Sequence, residues 1–175
     1  MKLVTGEKHW YAIYTRARAE KKVHNSLLKE GFEAYLPLIK RLRQWSDRKK
    51  IVEEPLFRSY IFVRVDEKNL YNALNVFGAL KYIKFENKAV PIPDKQIEAI
   101  RIYLEDPEPD EESDEALTAG QLVRVKSGPM EGLIGKLVSY KNKFRLVIMI
   151  DAIGQVIRLN IPRSRVELVK ESEQK

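Results

Sequence analysis

Apolar and polar positions alternate along His9–Thr15, with Trp10, Ala12 and Tyr14 on one side and Tyr11 and Ile13 on the other. A period of two predicts a strand. The spacing then changes. Over Arg18–Glu30, Ala19, Val23, Leu27 and Leu28 recur at helical intervals, and Gly31 follows where a helix commonly ends. Phe32–Leu36 reads as a strand that Pro37 closes or marks as an edge. Ile39–Glu54 reads as a long basic hairpin with its tip at Ser46–Lys50. Phe57–Val65, FRSYIFVRV, is the most apolar strand. Glu67–Asn75 predicts a short helix, and Ala79–Phe85 a strand turned by Glu86–Lys88. Pro93–Leu104 predicts a last helix, opened by Pro93 and Asp94 in positions that suit the helix dipole. Further on, five short strands are predicted at 121–126, 133–140, 143–150, 155–161 and 165–169.

The order strand, helix, strand, strand, helix, strand and final helix is the split βαβ pattern of ferredoxin-like folds, an α+β class with an antiparallel sheet and helices on one face. The five later strands, with short connections and glycines at the corners, suggest a small closed β-barrel, which leaves no strand edge exposed. Between the two lies Asp106–Leu117, DPEPDEESDEAL, with seven carboxylates, two prolines and little to bury. Like charges repel and proline stiffens, so this stretch predicts an extended, mobile linker. The expected organisation is therefore a first domain over 1–105, an acidic linker over 106–117 and a second domain over 118–175.

Charge sharpens this picture. The net charge is +7. Residues 1–105 carry 21 Lys and Arg against 13 Asp and Glu, residues 106–117 none against 7, and residues 118–175 11 against 5. Two basic blocks thus flank an acidic strip. Concentrated positive charge favours polyanions such as nucleic acid, although a lysine-rich solvated surface accounts for charge equally well. There is no cysteine, which removes disulfides and thiolate ligands, and His9 and His24 are the only histidines. No nucleophile motif lies near either histidine, and no phosphate-binding glycine loop joins a strand to a helix. The reading is of a binding factor rather than an enzyme, with no metal and no cofactor. MKLVTGEKHWY lacks the apolar run of a signal peptide, and no run approaches the ~20 apolar residues that span a bilayer. A cytoplasmic monomer with no membrane partner is the expectation.

One segment carries more specific information. Leu122–Val138, LVRVKSGPMEGLIGKLV, places a Gly-Pro-x-x-Gly-x-x-Gly turn between two apolar runs. Gly128, Gly132 and Gly135 admit backbone angles that a Cβ makes costly, and Pro129 donates no hydrogen bond. Ser127, Gly128, Pro129, Met130, Glu131 and Gly132 form the surface loop of this unit. An ordinary glycine-containing hairpin is the plainer reading. The segment resembles a KOW motif of ribosomal proteins and transcription elongation factors.

A basic ferredoxin-like domain, a linker and a KOW barrel resemble the layout of the NusG family of transcription elongation factors. HWYAIYT is similar to the family's opening strand, Ala19–Val23 to its first helix, PLFRSYIFVRV to its Phe-Pro-Gly-Tyr strand, and GPMEGLIGKLV with IDAIGQVIRLNIPRSRVELV to its KOW domain. The likeness runs from about Lys8 to Val169. Arg58-Ser59 replaces the family's Pro-Gly, a departure that argues against the general factor. YLPLIKRLRQWSDRKKIVEEPLFRSYIFVRV with YIKFENKAVPIPDKQIEAI looks most like the UpxY-type specialised paralogues, operon-specific antiterminators of surface polysaccharide genes in Bacteroidetes. The resemblance implies that the first, NGN, domain binds the clamp helices of RNA polymerase and suppresses pausing or termination. It also implies non-template DNA or nascent RNA nearby, and a ribosomal protein or termination factor on the KOW domain.

Two sets of residues are candidates for these roles. Tyr14, Phe57, Tyr60, Phe62, Tyr82 and Phe85 form an expected apolar patch for polymerase, since aromatic anchors bury much area with few rotors; some of them serve equally as core. Arg16, Arg18, Lys21, Lys22, Arg41, Arg43, Arg48, Lys49 and Lys50, with Trp45, form an expected nucleic-acid surface, since cations neutralise phosphates and rings stack bases. A solvated hairpin is the alternative. A ribosome-associated RNA-binding protein that uses the same KOW chemistry is the rival function.

Overall fold

The computed structural model describes residues 6–105, 120–128, 130–140, 143–150, 152–161 and 163–169. The acidic strip 106–117 lies outside the described residues. Two compact units divide between Asp94 and Lys95, whereas composition alone marks its boundary at the acidic strip.

The first unit runs β1 (His9–Thr15), α1 (Glu20–Lys29), β2 (Glu33–Tyr35), β3 (Leu38–Gln44), β4 (Lys49–Pro55), β5 (Tyr60–Val65), a 3₁₀ turn (Glu67–Asn69) with α2 (Leu70–Leu74), β6 (Ala79–Tyr82), β7 (Lys84–Phe85), β8 (Lys88–Ala89) and β9 (Pro91–Ile92). Its main sheet has the order β2-β5-β1-β6, and every neighbouring pair is antiparallel. β1 faces β5 in register from His9 opposite Val65 to Tyr14 opposite Tyr60. Alternation then sorts the side chains. Tyr11 and Ile13 of β1, Ile61, Val63 and Val65 of β5 and Tyr82 of β6 pack with Val23 and Leu27 of α1 and Ala73 of α2. Trp10, Ala12, Tyr14, Tyr60 and Phe62 take the opposite face.

Several boundaries shift for identifiable reasons. α1 starts at Glu20 because Arg18 adopts φ 61°, a left-handed angle that a helix cannot contain. It ends as expected at Gly31. The Gly31 N–H donates to the Leu28 carbonyl at 3.1 Å and the Phe32 N–H to the Leu27 carbonyl at 3.0 Å, the paired bonds of a Schellman motif. Phe57–Ser59 is a turn rather than the start of a strand. The expected strand Ala79–Phe85 breaks at Ile83, and Lys84–Phe85 instead pairs with Lys88–Ala89. Glu86 and Asn87 join them with φ 48° and 64°, the doubly left-handed turn that matches hairpin twist. Pro91–Ile92 adds to β1 opposite Trp10 and Tyr11, a pairing that two residues beside a proline do not announce.

The second unit takes in nearly all of α3 (Asp94–Glu105), whose buried positions Gln96, Ile97, Ala99, Ile100 and Tyr103 fall at helical spacing. Its strands are β10 (Gln121–Val125), β11 (Ile134–Tyr140), β12 (Lys143–Ile150), β13 (Gln155–Asn160) and β14 (Val166–Leu168). They form one antiparallel sheet in the order β13-β12-β11-β10-β14. Val123, Val125, Leu146, Ile148, Ile150, Ile157 and Val166 are buried in it. Gly135 sits where a Cβ would stand 2.6 Å from the Val147 carbonyl oxygen, so a side chain there pushes on backbone.

Candidate functional site

The six aromatic candidates fall into three places. Phe57 and Phe62 are buried and meet edge to face at 6.1 Å. Phe62 also stacks on Tyr35 at 6.4 Å, which in turn meets Trp10 at 6.5 Å. Tyr82 lies on the other face, opposite Ile13 and therefore beneath the helices. Its hydroxyl donates to the Leu70 carbonyl at 2.8 Å, and burial raises its pKa well above the ordinary value, so the phenol stays a neutral donor. Phe57, Phe62 and Tyr82 thus offer little or no surface. Tyr14 and Tyr60 are half-buried and pair edge to face at 5.5 Å, with the Lys81 ammonium 5.9 Å from the Tyr14 ring. Phe85, on the β7–β8 hairpin, is 71% exposed.

The basic candidates gather at one end of the main sheet and along β3–β4. The hairpin pairs Leu38–Gln44 with Lys49–Pro55, and the Trp45 N–H donates to the Arg48 carbonyl at 2.8 Å to close its tip. The Arg48 guanidinium lies 5.4 Å from the Trp45 ring centre, in reach of a cation–π contact. Lys49 and Lys50 are exposed. Arg41 and Arg43 differ from these. Glu54 accepts two bonds from the Arg43 guanidinium at 2.7 and 2.9 Å, and the Arg41 Nε lies at 3.3 Å. The Arg43 hydrogen bond holds the Glu54 carboxyl below its ordinary value of 4.5. Lys21 donates to the Glu53 carbonyl at 3.1 Å and so ties α1 to the hairpin root. Arg16, Arg18 and Lys22 are exposed. A cleft lined by Arg18, Lys21, Arg58, Glu53 and Glu54 opens beside them.

Three residues here escaped the sequence reading. Phe77 is 78% exposed and carries the Arg16 guanidinium 5.2 Å from its ring centre. Lys81 owes its place to cross-strand register with Tyr14, and Arg58 to the turn before β5. The signal for Phe77 was an aromatic residue inside the turn segment Asn-Val-Phe-Gly, outside any strand or helix period.

In the second unit, Gly128 and Gly132 take φ 92° and 83°. The Gly132 N–H donates to the Val125 carbonyl at 2.8 Å and the Glu131 N–H to the Gly128 carbonyl at 3.0 Å. Ser127 and Glu131 are exposed, while Met130 is buried beneath the loop. Pro129 lies outside the described residues.

Rings with cations beside them mark the surface of the first unit: Phe77 with Arg16, Trp45 with Arg48, and half-buried Tyr14 with Lys81. A family model described as NusG, transcription termination factor nusG, matches residues 8–101. The transcription termination/antitermination proteins NusG of Staphylococcus aureus strains Mu50 and N315 are each 23% identical, over 93% of this chain and 96% of theirs. A solved structure of Thermotoga maritima NusG is 21% identical, covers 94% of this chain and 98% of its own, and has a TM-score of 0.49. The chain belongs to the NusG family. Among the described residues, no helix is long and apolar enough to cross a membrane.

Proposed function

We propose that this chain is a transcription elongation and antitermination factor whose first unit binds the clamp helices of RNA polymerase. The match of residues 8–101 to the NusG family model carries this reading. The strand order β2-β5-β1-β6, all antiparallel, supports a ferredoxin-like NGN domain. Tyr14 and Tyr60, half-exposed and braced ring against ring, are the polymerase anchors, with Phe85 as an outlying contact. Phe57 and Phe62, buried on the same face, set the shape of that surface from below, while Tyr82 belongs to the core on the helix side. Suppression of pausing follows if the factor binds the processive, closed-clamp state more tightly than the paused one.

Residues 118–175, which hold β10 to β14, are a KOW domain built as a small barrel. A ribosomal protein or termination factor is its partner, held at raised local concentration because the two domains share one chain. Arg58-Ser59 in place of Pro-Gly supports a specialised factor, and the likeness of residues 35–65 and 82–100 supports the operon-specific UpxY type.

Co-purification of a tagged copy from its own cells tests the proposal. Polymerase subunits are the expected companions, and Tyr14→Ala with Tyr60→Ala should deplete them by about tenfold or more, as loss of aromatic anchors does. Ribosomal subunits without polymerase would overturn it in favour of a ribosome-associated RNA-binding protein.

A further inference from the structure

We infer that the outer face of the β3–β4 hairpin docks an acidic amphipathic helix of a partner protein. The inference goes beyond the polymerase reading and uses none of its anchors. Cross-strand register fixes which side chains share that face: Lys40 opposite Glu53, Leu42 opposite Ile51, and Gln44 opposite Lys49. The other face carries Ile39, Arg41, Arg43, Val52 and Glu54, where Ile39 is buried and Glu54 engages both arginines. On the outer face all six residues are exposed, Leu42 at 64% and Ile51 at 65%.

Two strands alone make a marginal structure in water, and packing a further element on their apolar face stabilises them. Among the described residues, β3 and β4 form a two-stranded sheet of their own. Single exposed aliphatics are ordinary on a protein surface. Here two of them occupy one rung of an isolated ribbon, where covering both removes apolar area from water and braces the ladder beneath.

A helix fits this face in size and in charge. It is ~10 Å across and neighbouring strands lie ~4.8 Å apart, so one apolar stripe covers Leu42 and Ile51 together. The seven residues of each strand span ~23 Å at ~3.3 Å per residue, which a helix of ~16 residues matches. Lys40 and Lys49 stand ~7 Å to either side of the apolar pair, on different strands. Carboxylates about one turn before and after the centre of the stripe reach them. Glu53 is the anion on this face, yet Leu38–Pro55 as a whole carries six Lys and Arg against three Asp and Glu. The surrounding field therefore favours an acidic occupant over a basic one. Aliphatic side chains give no ring on which bases stack, which sets this face apart from the Trp45 tip.

Anisotropy titrations of the full chain with two labelled peptides test the inference. Both are stapled helices of ~16 residues with leucines at i, i+3, i+4 and i+7, one flanked by glutamates and the other by lysines. The acidic peptide should bind the more tightly at low salt. Leu42→Thr with Ile51→Thr should weaken it about tenfold or more, since threonine keeps the strand preference and removes most of the apolar contact. Lys40→Glu with Lys49→Glu should turn the preference toward the basic peptide while the apolar pair stays in place, a reversal that misfolding cannot produce. The inference fails if the two peptides bind alike, if neither pair of substitutions alters the acidic peptide's affinity, or if charge reversal weakens both peptides equally. It fails too if sedimentation shows a concentration-dependent dimer that Leu42→Thr with Ile51→Thr abolishes, for then a second copy covers the face. Tyr14→Ala with Tyr60→Ala should leave peptide binding unchanged, so this inference and the polymerase reading stand or fall separately.

Discussion

Ser59 holds φ 63° just before β5, a left-handed angle that costs a residue with a Cβ about 1 kcal/mol or more. It is held there from both sides. Its N–H donates to the buried Glu20 carboxylate at 2.7 Å, and its carbonyl accepts from the Thr15 N–H at 2.9 Å. This is also the position where the family's motif has glycine. Ser59→Gly should therefore raise the unfolding free energy by about 1 kcal/mol while keeping both hydrogen bonds, since only the strain is relieved. Urea denaturation of the two proteins measures it, and an unchanged or lowered midpoint would refute the strain. At this scale the sequence was only partly legible. Gly31 declared its helix end, because glycine at that place has one common use. Arg18 and Ser59 declared nothing, and the Ser59 angle is held by hydrogen bonds to residues distant in sequence. Phe62 and Tyr82 looked like surface anchors because aromatic residues serve cores and interfaces alike, and only pairing register separates the two.

One carboxylate ties the two strands of the β3–β4 hairpin beyond their backbone ladder. Glu54 joins Arg41 and Arg43 across the strands, and the Arg43 bond lowers its pKa below 4.5. A carboxyl whose folded pKa is depressed contributes stability above its unfolded value and loses it as pH falls through the folded one. The hairpin should thus loosen below about pH 4.5, with faster amide exchange at the Trp45 N–H that closes its tip. Glu54→Gln should show the faster exchange already at neutral pH and little further change on acidification. Exchange that is flat with pH in the unmodified chain would dismiss this role. The hairpin was legible from two runs rich in charge around a polar tip, and its register then followed from the turn. The short strand Pro91–Ile92 was not, because its partner β1 supplies the order that its own residues lack.

Across the whole molecule, charge predicts behaviour that no single contact reveals. A single strand bound through phosphate contacts loses affinity with salt by a slope of ~0.7 per neutralised phosphate. Lys49→Gln with Lys50→Gln should reduce that slope by about 1.4 in a salt titration of the full chain, and an identical slope would remove these lysines from the interface. The alternation of strands and helices made the mixed α+β organisation readable in advance. Composition marks a boundary at the acidic strip because it reports where charge collects, whereas packing divides the chain between Asp94 and Lys95.

The central strand of the first unit has a consequence for how the protein is made. Among the described residues, His9–Thr15 finds its sheet neighbours at Tyr60–Val65, Ala79–Tyr82 and Pro91–Ile92. During synthesis it must leave the ribosome and wait, apolar and unmatched, while some fifty residues are added before β5 exists to receive it. Translation speed over that interval, and any chaperone that shields the nascent amino-terminal stretch, should govern how much of this chain reaches its native form.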